Sequence, residues 1–251
     1  MERKFGLINV FAQPYEVWTQ RETSFEEAMD LVKNHDLHIS QAMQVNDQLV
    51  EVVSTHFQAA TRMLLKRSDN GLENHVNGAL YASNEYRALR GLMPMHEPEA
   101  LTSYQGSFTE QDWATADAAI NAYGIEMSEG QILFHGGLWP SDSLTFTTTR
   151  PFSTSFCPQV ALRNAEWRGK AFDAGRVDLM VVRVTQPRAK AYAYNLEGEH
   201  GNEKEIVFAS GAKLHRVNET YVTDMHVCKV NSSLQEIEKT VSAYLVEVAI
   251  S

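Results

Sequence analysis

The feature that most constrains the fold of this 251-residue chain is a change of sequence texture near Glu129. Before it, apolar residues recur at helical spacing. After it, short runs rich in β-branched and aromatic residues alternate with Gly, Pro or Asn clusters, which is the pattern of strands. Helices first and strands later favour an α+β fold over a βαβ alternation. Strands are predicted over 131–135, 143–149, 177–185, 190–194, 205–209, 213–217, 221–230 and 242–250.

The first half of the chain is expected to be helical. Ser24-Phe25-Glu26-Glu27 is a capping-box pattern and predicts a helix start. Further helices are predicted over 39–66, over 77–89 and from Thr109 to about residue 123. The segment 93–106 contains two prolines and a glycine, so it is interpreted as a connector.

These patterns predict two regions packed as one unit, a helical N-terminal lobe over 1–100 and a β-rich core over 101–251. The net charge is −10, with 32 acidic residues against 22 Lys and Arg, which argues against general nucleic-acid binding. No apolar run is long enough to span a membrane. The N-terminus lacks a secretory signal pattern. We therefore expect a cytoplasmic protein, or one delivered into a target cell without a classical signal peptide.

Several familiar catalytic motifs are absent from the sequence. It contains no P-loop, no HExxH zinc motif and no GxSxG nucleophile elbow. The two cysteines, Cys157 and Cys228, and the nine histidines lack metal-ligand spacing, so no metal site is predicted.

Three polar features remain, and each has an ordinary structural explanation when taken alone. Ile132–Gly137 is a strand ending in His-Gly-Gly, which is typical of a turn. Ser155 could cap the helix that follows it. Glu203-Lys204-Glu205 could be a solvated strand edge. If 203–205 is extended, both carboxylates face one way and the lysine faces the other.

Taken in order, the three features resemble the motifs of the mono-ADP-ribosyltransferases of the Arg-Ser-Glu class. Phe152-Ser-Thr-Ser155 matches the aromatic-Ser-Thr-Ser motif, and Glu203-Lys204-Glu205 matches the Glu-x-Glu motif. Residues 101–113 resemble the Tyr-x-Gly helix entry of that family. His135 stands where the family carries arginine, and this resembles the diphtheria-toxin branch of the superfamily. The resemblance covers about residues 100–217.

The resemblance implies a split two-sheet antiparallel β core and transfer of ADP-ribose from NAD, with no metal, to an exposed arginine of a protein acceptor. It implies that Glu205 stabilises the ribosyl cation, that Glu203 orients the acceptor guanidinium, and that Ser153 supports Glu205. Alternatives that share the site are an NAD glycohydrolase and a catalytically degenerate binding protein.

The resemblance also implies an NAD-binding set, with Arg90-Gly91 as a rival for the missing arginine. The set comprises His135, Gly136, Phe152, Ser153, Thr154 and Ser155.

Overall fold

The computed structural model describes residues 5–107, 109–140, 143–230 and 232–251. The helices are α1 Phe25–His35, α2 Ile39–Ala42, α3 His56–Lys66, α4 Asn70–Ala82, α5 Asn84–Arg90, α6 Glu99–Ser107, α7 Trp113–Tyr123, α8 Pro158–Glu166 and α9 Lys170–Ala174. The strands are β1 Tyr15–Glu22, β2 Gln44–Val53, β3 Ile125–Glu126, β4 Ile132–Gly137, β5 Thr145–Thr147, β6 Phe152–Ser155, β7 Arg176–Val184, β8 Lys190–Ala193, β9 Glu205–Phe208, β10 Lys213–Val230 and β11 Glu236–Ile250. Short 3₁₀ turns occupy Glu110–Asp112, Trp167–Gly169 and Gly201–Glu203.

The described residues form two compact units, one of residues 11–55 and one of residues up to Val10 together with 56–251. In the smaller unit, β1 and β2 pair antiparallel beside α1 and α2. Glu27 N donates to Ser24 Oγ at 3.2 Å, which confirms the predicted start of α1. The helix predicted over 39–66 is wrong between Gln44 and Val53, which form β2. Four valines in ten residues favour a strand there, and the helical spacing was coincidental.

Two further helix predictions need correction. The helix predicted over 77–89 is two helices, α4 and α5, because Ser83 takes an extended conformation between them. Its hydroxyl accepts a 3.0 Å hydrogen bond from Tyr86 N and so caps α5. The segment 93–106, interpreted as a connector, contains most of α6. The prolines lie before α6, where they do not interrupt it.

The larger unit contains a nine-stranded sheet in the order β3-β8-β9-β6-β4-β7-β11-β10-β5. The fold is α+β, but the prediction of a split two-sheet antiparallel core is wrong. These nine strands form one sheet, and in it β7 and β11 run parallel, with Arg176 opposite Ser242 and Val184 opposite Ile250. β7 is buried over most of its length, as its nearly continuous apolar sequence requires of a central strand. The runs predicted as separate strands at 213–217 and 221–230 form the single strand β10.

The sheet has a narrow junction in its middle. β4 and β6 pair at one position, Phe134 with Ser155, whereas β4 pairs with β7 over six residues. This single pair places Phe134 of β4 beside Ser155 of β6, and Ser155 in turn lies opposite Glu205 of β9. Within the described ranges, no helix is both long and apolar enough to cross a membrane.

Candidate active site

The two glycines at the end of β4 allow close packing. A β-carbon on Gly136 would lie 1.6 Å from the carbonyl oxygen of Ala161 in α8, so only glycine lets this helix lie against the strand. A β-carbon on Gly137 would lie 2.7 Å from Nε2 of His135. The glycine pair therefore serves packing, and it leaves space beside the imidazole.

His135 is held as a neutral imidazole of defined orientation. Its Nδ1 lies 2.6 Å from the carbonyl oxygen of Ser153. A carbonyl oxygen can only accept, so Nδ1 carries the proton and Nε2 is left as an acceptor. Burial is the main reason that the pKa of His135 is lowered to about 4. Its ring centre also lies 4.3 Å from that of Phe152.

The Ser-Thr-Ser segment of β6 holds the glutamate motif in place through hydrogen bonds. β6 pairs antiparallel with β9, with Ser155 opposite Glu205. Thr154 Oγ1 donates to the carbonyl oxygen of Ile206 at 2.7 Å, and Ser155 Oγ donates to that of Glu203 at 2.6 Å. Ser155 also accepts from the Cys157 amide at 3.0 Å, yet the residue that precedes α8 as its N-cap is Cys157. The main task of the hydroxyls is thus to fix the glutamate motif.

Glu205 receives a hydrogen bond on each carboxylate oxygen. Ser153 Oγ donates to Oε1, and Gln105 Nε2 donates to Oε2 at 3.0 Å. The residue is 8% exposed. Burial raises its pKa to about 7, and the charge of Glu203 acts in the same direction, whereas the hydrogen bonds from Ser153 and Gln105 oppose the rise. Glu205 is therefore a fixed carboxylate that changes ionisation near neutral pH.

Glu203 is placed by a turn and not by a strand, which corrects the expectation of an extended 203–205 segment. It ends the 3₁₀ turn Gly201–Glu203, and Lys204 follows with left-handed dihedrals of φ 51° and ψ 41°. β9 begins only at Glu205. Burial raises the pKa of Glu203, and the charge of His200 opposes the rise.

Lys204 points away from the two glutamates, as predicted, although for a different geometric reason. Its fully buried ammonium lies 3.0 Å from Oε1 of Glu73 in α4 and 2.6 Å from the carbonyl oxygen of Asn202. Glu73 also accepts from Gln159, and it lies 3.3 Å from Arg163, both in α8. These contacts anchor the Glu-Lys-Glu turn to two helices.

The residues assigned to the site from sequence surround one cavity of about 530 Å³. The set that lines it is His135, Gly136, Phe152, Ser153, Thr154, Ser155, Glu203 and Glu205. Arg90 does not line it. Its guanidinium donates to the carbonyl oxygens of Ala193 and Pro94 and lies 3.6 Å from Glu97, so the rival for the family arginine is occupied elsewhere.

The cavity is also lined by polar residues to which the sequence assigned no role, and three of them are charged or contact Glu205: Gln105, Arg150 and Lys170. Gln105 lies inside the Tyr-x-Gly segment, so the motif signalled its neighbourhood but not its contact with Glu205. Arg150 lies just before the Ser-Thr-Ser strand and Lys170 begins α9, and the sequence assigned no role to either. Their spatial proximity depends on the packing of α8 and α9, which the sequence pattern did not show.

The described side chains include no group of three or more His, Cys, Asp or Glu residues placed to hold a metal ion.

No protein-family model and no curated protein matches the sequence. Among solved structures, the enzymatic component C2-I of the C2 toxin from Clostridium botulinum aligns at 10% identity and a TM-score of 0.39, over 65% of this chain and 45% of C2-I. Plx2a, an ADP-ribosyltransferase toxin from Paenibacillus larvae, aligns at 11% identity and a TM-score of 0.40, over 68% of this chain and 93% of Plx2a. The ADP-ribosyltransferase Vis from Vibrio splendidus aligns at 14% identity and a TM-score of 0.32, over 96% of this chain and 89% of Vis. The chain thus spans less than half of C2-I, and likeness at this level assigns no activity.

Proposed function

We propose that the chain is a mono-ADP-ribosyltransferase that transfers ADP-ribose from NAD to an arginine of a protein acceptor. The observation that carries this proposal is Glu205, which is buried, oriented through both oxygens by Ser153 and Gln105, and accompanied by Glu203 in the same cavity. A volume of about 530 Å³ is of the size that ligand sites commonly have.

The first step requires a negative charge beside the ribose of the nicotinamide. The bond between ribose C1′ and the nicotinamide nitrogen breaks, and nicotinamide leaves as a neutral base with the bonding electrons. An oxocarbenium-like ribosyl cation develops, as in glycoside cleavage. A preoriented carboxylate at Glu205 stabilises that cation in the transition state without further reorganisation. The positive nicotinamide ring in turn favours the ionised form of Glu205.

The second step requires a base for the acceptor. The pKa of an arginine guanidinium is above about 12, so the group is protonated at neutral pH and is a poor nucleophile. Glu203 orients it by charge-assisted hydrogen bonds and takes a proton as the nitrogen attacks C1′. The raised pKa of Glu203 suits a base that must hold that proton briefly. His135 contributes an acceptor at Nε2 for a ligand hydroxyl or amide.

The test is to incubate the protein with NAD and agmatine, a small guanidine, and to measure released nicotinamide and ADP-ribosylated agmatine. Glu205→Gln should lower both products about 100-fold or more, because it removes the charge and keeps the shape. Glu203→Gln should lower agmatine modification much more than nicotinamide release. The matched control is Glu199→Gln, which removes an exposed carboxylate that does not line the cavity.

The outcomes separate the possible activities. Nicotinamide release without any modified agmatine or protein would show a glycohydrolase and refute the transferase proposal. Absence of NAD binding by calorimetry at millimolar NAD would show a degenerate site. Equal losses of both products in Glu203→Gln would contradict the division of roles between the two glutamates.

A further inference from the structure

Two cations line the candidate active site and have no acidic partner among the described residues. Arg150, just before β6, and Lys170, at the start of α9, both line the cavity. Across the described residues, neither forms an ion pair within 4.0 Å. The Arg150 guanidinium lies 5.5 Å from the ring centre of Trp113, and Lys170 Nζ donates to the carbonyl oxygen of Asn164 at 3.5 Å.

Both cations are exposed to solvent, and both line the same cavity. The pKa of Lys170 is lowered, mainly by burial and then by the charges of Arg150 and Arg168. The charges of Lys170 and Arg150 also contribute to the low pKa of His135. Like charges that share one cavity repel each other, although solvent screens this repulsion at exposed side chains. An anion bound between them would offset that repulsion.

The cavity therefore carries both signs of charge in separate places. Glu203 and Glu205 supply the negative part, and neither lies within ion-pair distance of Arg150 or Lys170 in the part of the chain that the structure describes. A ligand that fits has an anionic group at one place and a developing positive charge at another. A dinucleotide with a diphosphate bridge and a nicotinamide riboside has that distribution.

The residue that stands in place of the family arginine cannot supply the positive charge. His135 is neutral near pH 7, and its one N–H is donated to Ser153. We propose that Arg150 and Lys170 bind the diphosphate of the dinucleotide. This inference rests on the proposed function for the identity of the ligand. Arg150 offers a planar fork of donors and Lys170 a compact ammonium, and both suit phosphate oxygens.

The test measures binding and not turnover, by calorimetry with ADP-ribose, which contains the diphosphate but no nicotinamide. Arg150→Gln and Lys170→Met should each weaken binding about 5- to 20-fold, and the double variant about 50-fold or more. Affinity for ADP-ribose should fall with added salt in the wild type and less steeply in the double variant. Binding of adenosine, which has no phosphate, should change less than about twofold in every variant.

The matched control is Arg188→Gln, which makes the same change of net charge at an exposed residue outside the cavity. Circular dichroism shows whether each variant is folded. The inference is overturned if the double variant binds ADP-ribose within twofold of the wild type, or if the Arg188 variant loses as much affinity. It is also overturned if the wild type binds neither ADP-ribose nor inorganic pyrophosphate at millimolar concentration. Loss of ADP-ribose affinity in a protein that releases no nicotinamide would refute the proposed function and leave the diphosphate site standing.

Discussion

At the scale of single residues, Glu205 combines two opposed requirements. Stabilising a ribosyl cation needs an ionised carboxylate, and burial at 8% exposure makes that ionisation costly. Ser153 and Gln105 reduce the cost by donating to separate oxygens, and Glu203 increases it by like charge. The balance places the pKa at about 7, so both the activity and the stability of the protein should depend on pH in the neutral range.

The first prediction concerns the pH dependence of activity. The ratio kcat/KM for nicotinamide release should fall as pH drops below about 7, because Glu205 of the free enzyme becomes protonated. Gln105→Leu removes a hydrogen bond that favours the ionised form, so the acid limb should move to higher pH. The measurement is nicotinamide release between pH 5 and 9 for both proteins. A Gln105→Leu variant with lower activity but an unmoved acid limb would contradict the positioning role of Gln105.

The second prediction concerns stability at the same residue. The pKa of Glu205 is raised in the folded state from its ordinary value of 4.5 to about 7, so the folded chain binds the proton more tightly. Stability is therefore lost as pH rises from about 4.5 to 7, by about 3 kcal/mol once the carboxylate is fully ionised. Glu205→Gln should relieve this cost at pH 8 and change little at pH 4.5. Denaturant unfolding at pH 4.5 and pH 8 checks this prediction, with a variant at an exposed glutamate, Glu129→Gln, as the control. An equal change of unfolding free energy by Glu205→Gln at both pH values would refute it.

At the scale of elements, the Glu-Lys-Glu turn is built by contacts outside the motif. The left-handed Lys204 lets Glu203 and Glu205 line one cavity while its own side chain reaches Glu73. A non-glycine residue with positive φ is uncommon and needs surrounding contacts to hold it. The buried ammonium and the Ser155 bond to the Glu203 carbonyl provide them.

The third prediction concerns the ion pair between Lys204 and Glu73, whose two members keep different numbers of other contacts when the pair is broken. Glu73 keeps Gln159 and Arg163 when Lys204 is removed, whereas Lys204 keeps only the Asn202 carbonyl, among the described residues, when Glu73 is removed. Glu73→Ala should therefore cost about 3 kcal/mol of unfolding free energy, because it leaves a buried charge unpaired. Lys204→Met should cost less, and the double variant should resemble Lys204→Met.

Denaturant unfolding of the four proteins gives this cycle directly. If Lys204→Met lowers the unfolding free energy as much as Glu73→Ala does, the turn depends on the lysine itself and not on charge balance. If the loss of unfolding free energy in the double variant equals the sum of the losses in the two single variants, the two residues do not interact.

How much of this could be predicted from sequence differs from element to element. The strands β4 and β9 could be predicted because their apolar runs are local, whereas β6 was not among the predicted strands. The Ser-Thr-Ser and Glu-x-Glu motifs identified residues that line one cavity. The turn at Lys204 could not be predicted, because the left-handed dihedrals depend on Glu73, which lies 131 positions away. The parallel pairing of β7 with β11 was missed for the same reason, since no local pattern specifies strand direction.

At the scale of the whole molecule, the candidate site belongs entirely to one of the two compact units. Every residue that lines the cavity lies between Tyr104 and Glu205 in sequence. The smaller unit, residues 11–55, has its own hairpin and helices and contributes no lining residue. An experiment can therefore test whether the proposed NAD cleavage and the proposed acceptor recognition depend on different parts of the chain.

The fourth prediction is that residues 11–55 can be replaced by a flexible Gly/Ser linker without loss of NAD cleavage. Nicotinamide release should stay within about threefold of the wild type, a difference below about 1 kcal/mol in the barrier, because the cavity retains all its lining residues. Agmatine modification should be retained equally, since agmatine presents a guanidine without a protein surface. Loss of modification of a protein acceptor alone would assign acceptor recognition to residues 11–55. A folded variant, as shown by circular dichroism and adenosine binding, that no longer releases nicotinamide would contradict the prediction and show that the chemistry depends on the smaller unit.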